Sequence, residues 1–212
     1  MDTAAEYIAK TESAMRKLLE GIDEYLQVLR DSPVPVFITL TSPGPEFDRE
    51  WTDWMNANKA KNVAAEAARM QFRAESFAMN VLCGAVLQVA GKGIDLYSTN
   101  TVIPAAVQSF VKSTAAEYCV GREVRGMPIG LIVYAGRNQH THFDEKTLRD
   151  PGATVFERLV TTAEQGLQVA YRDQAFDLKN PAILSFAANV TVLLGWKDYD
   201  AYVKDMWAML NA

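Results

Sequence analysis

With 212 residues, 49% of them hydrophobic and 22% charged, the chain has enough apolar surface to offset the entropy of ordering, which excludes a disordered protein and implies one domain over residues 1–212. A net charge of −5 and a pI near 5.1 exclude a global positive field that gathers nucleic acid by counterion release, so any RNA contact has to be local. Cys83 and Cys119 are too few for a disulfide framework, and each lies in a segment that reads as a buried helix, as expected in a reducing cytoplasm.

The first residues, Met1-Asp2-Thr3-Ala4-Ala5-Glu6, carry neither a basic nor an apolar leader pattern, so export by a signal peptide is not expected. Thr3 and Glu6 have capping-box spacing. Ile8, Met15, Leu18, Leu19, Ile22, Tyr25, Leu26 and Leu29 then recur at steps of three and four, which predicts an amphipathic helix ending at Asp31-Ser32-Pro33. Pro33, Pro35, Pro43 and Pro45 make residues 31–47 a non-helical connector, with Val36 to Leu40 extended over the core.

From Asp48 to Ala90 the composition favours helix, opened by Trp51, Trp54 and Met55 and divisible at the polar patch Asn56 to Asn62. Val63, Ala67, Met70, Ala74, Phe77 and Val81 follow steps of four and three. Leu82, Val86 and Val89 add a second apolar face, so this helix is expected to be buried on two sides and to stop at Gly91-Lys92-Gly93. A further helix is expected from Asn100 or Thr101 to just before Gly121, with Pro104 in its first turn.

After Gly126, Pro128 suits a helix start. Ile129, Leu131, Ile132, Val133 and Tyr134 are apolar all round, which marks a central helix, and no second convincing strand exists to pair with them. The stretch from 129 to 135 lies between Pro128 and Gly136, far short of the roughly 20 residues of a membrane span, so no membrane segment is expected. Helices are also predicted after Pro151-Gly152, from Pro181 through Leu194, and over Tyr199 to Leu210. The fold class is therefore all-α, a bundle of about six or seven helices.

Both histidines of the chain stand at the end of the central helix, in Arg137-Asn138-Gln139-His140-Thr141-His142, followed by Asp144 and Glu145. An Arg, a polar Asn and a His at this spacing resemble the signature of the HEPN superfamily, and Gly130 to Gly136 before it resembles that family's helical setting. The resemblance implies a HEPN-like bundle and a homodimer whose two motifs face one cleft and cut RNA without a metal or other cofactor. In that reading Arg137, Asn138 and His142 are catalytic. Arg137 holds the scissile phosphate, His142 takes the proton of a ribose 2′-hydroxyl, and Asn138 orients the substrate; His140 has no role in the family's pattern and is a candidate for a further substrate contact. It also implies a toxin or phage-defence setting with an antitoxin or other protein partner.

Other readings of the same residues stand beside it. Arg137 can pair with Asp144 or Glu145, and His140 with Asp144 one turn on. The chain can also be a non-catalytic helical homodimer that binds a protein or a nucleotide through the same cleft. A metal site on His140, His142, Asp144 and Glu145 is disfavoured, because positions 140 and 142 point to opposite sides of a helix. Trp51 and Trp54 at helical spacing read as core or interface before they read as a ligand pocket, and Arg69 and Arg73, beside Glu66 and Glu75, as a solvated, self-paired face.

Overall fold

Thr3 opens the first helix as its spacing predicts: its hydroxyl accepts from the Glu6 amide at 3.2 Å, and α1 runs over Ala4–Arg30. The computed structural model describes residues 3–31, 34–144, 148–162 and 171–210. These residues are predominantly helical, so the all-α class holds. The chain divides into two compact units, one of Met1–Ile22 with Ala78–Ala212 and one of Asp23–Phe77. Helix α1 and the long α3 (Lys59–Tyr97) run through both.

In the smaller unit, α2 (Pro45–Ala57) starts at Pro45, earlier than expected, because proline's fixed φ suits a first helical turn as well as it suits a connector. The polar patch does divide the helices, at Asn58, whose φ of −107° breaks the run between α2 and α3. Residues 34–42 form neither helix nor ladder, with Phe37 set against Phe47, Trp51 and Trp54, and the two indoles stacked at 5.3 Å. No residue of α2 is buried.

The larger unit holds the core. Cys83, Val86, Leu87, Ala90 and Ile94 bury the second half of α3, and α4 (Ile129–Thr141) is buried nearly all round, as its composition predicts. Around them lie α5 (Gly152–Val160), α6 (Ala187–Leu193) and α7 (Tyr199–Leu210). Two short antiparallel ladders accompany the helices. β1 (Glu123–Val124) pairs with β2 (Met127–Pro128) across Arg125 and Gly126, whose φ angles of 50° and 72° suit a tight hairpin turn, and β3 (Thr161–Thr162) pairs with β4 (Tyr171–Arg172).

Several expectations are corrected. Helix α3 does not stop at Gly91-Lys92-Gly93 but continues to Tyr97. Those glycines make room for neighbours: a Cβ at 91 would meet Arg137, and one at 93 would meet Tyr7 and Met206, both at 2.9 Å or closer. Residues 98–112 form no helix, with turns over 105–110, and a 3-10 helix follows over Ser113–Tyr118. The Asn100 side chain competes for the backbone there, donating to the carbonyls of Val102 and Ala116.

The helix expected from Pro181 begins only at Ala187, because Gln139 of α4 claims the backbone before it, donating to the Leu184 carbonyl and accepting from the Phe186 amide, both at 2.9 Å. Nor is the first half of α3 buried on two sides. Val63, Met70 and Phe77 are 63%, 57% and 59% exposed. Helix α3 is also long and apolar enough, by length and composition, to cross a membrane, although polar residues interrupt its apolar ones; half of its most apolar window is buried within the protein.

Candidate functional site

The last turns of α4 carry every residue of the Arg-Asn-x3-His motif, and a helix sends successive side chains in different directions, so each meets different surroundings. Arg137 reaches back toward the start of α4. Its Nη1 donates to Asp95 Oδ2 on α3 at 3.0 Å, its side chain is 16% exposed, and its guanidinium lies 5.4 Å from the Tyr118 ring centre and 5.7 Å from that of Tyr134. Tyr118 donates its hydroxyl to the other oxygen of Asp95. Burial, and then that bond, push the Tyr118 phenol well above its ordinary pKa, so it stays a donor at every relevant pH.

Asp95 therefore replaces Asp144 as the acid on Arg137, and Glu145 lies outside the described residues. Gly91 makes the arrangement possible. Without a side chain there, the arginine stem can lie flat on α3.

His140 lies on another side, over Gly84 of α3, with Nδ1 at 2.8 Å from Ser185 Oγ, so it bonds to Ser185 and not to Asp144 as the i, i+4 spacing suggests. Loss of hydration lowers its pKa, which keeps the imidazole neutral near pH 7 and unsuited to hold a phosphate by charge. Gln139, between them in sequence, is buried and spends both ends of its amide on the backbone at 184 and 186. Thr141 donates to the Arg137 carbonyl at 3.0 Å and accepts from Gln88 at 2.7 Å. Asn138 is half-buried, and its carbonyl accepts from the amide of His142.

His142 is the C-terminal capping residue of α4 and is exposed. The contacts along α3 show how the motif is spread. Thr141 meets Gln88, whereas the Arg137 guanidinium meets Asp95, seven residues or about 10 Å further along that helix. The structure thus gathers Arg137 with Asp95, Tyr118 and Tyr134, gathers His140 with Gly84 and Ser185, and leaves His142 at the exposed helix end. Among the described residues, no three His, Cys, Asp or Glu side chains stand close enough to hold a metal ion.

Asp95 and Tyr118 are the residues that sequence reasoning missed. Nothing local marks them, since they stand 42 and 19 positions from Arg137; the one trace of the contact is the glycine at 91. Comparison with family models, curated proteins and solved structures finds no match to the chain.

A second candidate surface lies in the smaller unit. Along residues 34–41 the side chains alternate: Phe37, Thr39 and Thr41 turn inward, while Val36, Ile38 and Leu40 are 72%, 85% and 103% exposed. Both threonine hydroxyls donate to the Glu50 carboxylate, at 2.5 and 2.8 Å, and hold its pKa below the usual value. These bonds pin the segment to α2. Among the described residues its backbone forms no ladder with another strand.

Proposed function

We propose that this chain is a non-catalytic helical protein that binds a partner protein, with residues 34–41 as the edge the partner pairs with. The observation that carries this reading is a segment whose side chains alternate between an apolar exposed face and an inner face bonded to Glu50, and which pairs with no strand among the described residues. Such a segment can gain main-chain hydrogen bonds from a partner's strand while Val36, Ile38 and Leu40 supply side-chain contacts. Ordering has been met in advance by the Glu50 bonds and the aromatic cluster, so less of the binding energy is spent on it.

The endoribonuclease reading rests on the resemblance of Arg137, Asn138 and His142 to the HEPN signature and on the exposure of His142. It requires Arg137 to leave Asp95 and the two tyrosine rings to join His142 at a phosphate. A HEPN-like fold, a toxin-type setting and an antitoxin partner belong to that reading and share its fate.

One pair of measurements separates the two. Purified protein incubated with RNA and a chelator is expected to leave the RNA intact; cleavage that stops in Arg137→Ala and His142→Ala would move the function to the nuclease. In parallel, proteins retained by the wild type are expected to be lost with Ile38→Pro, which removes a main-chain donor, and with Val36→Lys, which places charge on the outer face. The same proteins retained by all three forms would dismiss residues 34–41 as the binding edge.

A further inference from the structure

Positions 153, 154, 157 and 160 are spaced by three and four, so they share one side of α5. Together with residues 176–179, which follow β4, that side encloses a cavity of about 410 Å³ within the larger unit. The volume lies in the lower part of the range of small-molecule sites, roughly 300–1,000 Å³. Its floor is apolar: Phe156, Val160 and Phe176 are buried, and Leu178, 39% exposed, lines it as well. Asp150, Glu157, Asp177 and Lys179 supply the charges.

Two of these three carboxylates are already answered within the chain. Asp177 accepts from Arg172 Nε and from the Lys179 amide, both at 3.0 Å and one on each oxygen, and Arg172 also lies 3.5 Å from Glu157. Asp150 is different. Its Oδ1 accepts from the Thr154 amide at 3.3 Å and from the Thr154 hydroxyl at 2.7 Å, while Oδ2 accepts from no described residue. The Lys179 ammonium likewise forms no ion pair among the described residues. One anion and one cation therefore line the same small cavity without pairing with each other.

We infer that this cavity binds a free α-amino acid with a branched or aromatic apolar side chain, its ammonium on Asp150, its carboxylate on Lys179 and its side chain against Phe156, Val160 and Phe176. Ammonium and carboxylate hang from one carbon, so the ligand is short enough to sit between two groups of one cavity, and the flexible Lys179 stem sets the span. The charges select against other occupants. A simple amine leaves Lys179 unanswered, and a fatty acid is repelled by Asp150. A phosphate meets Glu157 and Asp177 as well. A residue inside a peptide has lost both charges to amide bonds, whereas a free amino acid keeps both and carries the apolar group that the floor takes.

None of these residues belongs to 34–41 or to the α4 motif, so failure here leaves the partner-binding reading untouched, and the reverse. The test is calorimetric titration of the intact protein with L-leucine and L-phenylalanine. Three analogues stand beside them: N-acetyl-L-leucine lacks the ammonium, L-leucinamide lacks the carboxylate and glycine lacks the side chain. The two amino acids are expected to bind with dissociation constants below about 1 mM, and each analogue about tenfold or more weaker.

Asp150→Asn keeps the acceptor that Thr154 uses, and Lys179→Met changes an exposed side chain, so both should fold with an unchanged circular dichroism spectrum. Asp150→Asn should weaken leucine to the level of N-acetyl-leucine, and Lys179→Met to that of leucinamide, each erasing the discrimination against its own analogue. No binding of either amino acid to the wild type at that level overturns the proposal, as does binding that both variants leave unchanged. An analogue that binds the wild type as tightly as leucine overturns the contact assigned to its missing group.

Discussion

The imidazole of His140 occupies the place that a side chain at Gly84 would take, and Ser185 holds it there through Nδ1. Gly84 lies in the interior of α3, where glycine costs about 1 kcal/mol relative to alanine, so its presence there runs against helix propensity. Gly84→Ala recovers that propensity but forces a pinned ring out of a packed contact. A net loss of about 1–3 kcal/mol is expected, read by denaturant unfolding. His140→Ala in the same chain should remove most of the loss; equal losses with and without the imidazole would show that the ring is not what fills the site.

The same histidine makes stability depend on pH. Burial lowers its pKa in the folded protein, so below the ordinary value of 6.5 the unfolded chain binds more protons than the native one. Stability is expected to be fully present above pH 6.5 and to fall as the pH drops from there toward the lowered native pKa. His140→Asn should flatten this part of the profile while carboxylate titration further down remains. A stability that rises as the pH falls through 6.5 would mean that the native protein favours the charged ring.

What the sequence reveals and what it conceals divides by distance along the chain. The Thr3 cap and the break at Asn58 are local, and both are legible from a few adjacent residues. Gly91 and Gly93 look like stops because glycine weakens a helix, yet their role is set by Arg137, Tyr7 and Met206, far away in sequence. The period of Val63, Ala67, Met70, Ala74 and Phe77 is legible, but a period states only that one face is apolar and not what covers it. At the candidate site the motif residues are plain in sequence. Asp95, which decides what Arg137 does, is not, because nothing near position 137 points to it.

Gly91 and Arg137 give a contrasting pair of substitutions. A Cβ at 91 would lie 2.8 Å from Arg137 Nη1 and 2.9 Å from its Cδ. These atoms belong to a flexible stem that can shift, so Gly91→Ala should cost less than Gly84→Ala. Arg137→Ala is expected to lose about 1–3 kcal/mol through the bond to Asp95 and the contacts with both tyrosine rings. In that background Gly91→Ala should become stabilising by about 0.5–1 kcal/mol, since only the helix propensity is left. Strict additivity of the two substitutions would show that they do not share a contact.

Asp205 on α7 joins two distant segments. It accepts two bonds from Arg122, at 3.0 and 2.9 Å, and one from the indole of Trp196 at 2.9 Å, while its side chain is 8% exposed. Arg122 also donates to the Leu194 carbonyl at 2.6 Å, which ties the end of α6 to the same carboxylate. Asp205→Ala strands the buried indole donor and releases the arginine to solvent, so a loss of about 2–4 kcal/mol is expected. Asp205→Asn keeps the shape and one acceptor and should lose about half as much. The change should also raise amide exchange in α7 more than in α3, because the lock holds the C-terminal helix and not the core helix. Uniform acceleration across both would mean that the cluster serves global stability without holding α7 in particular.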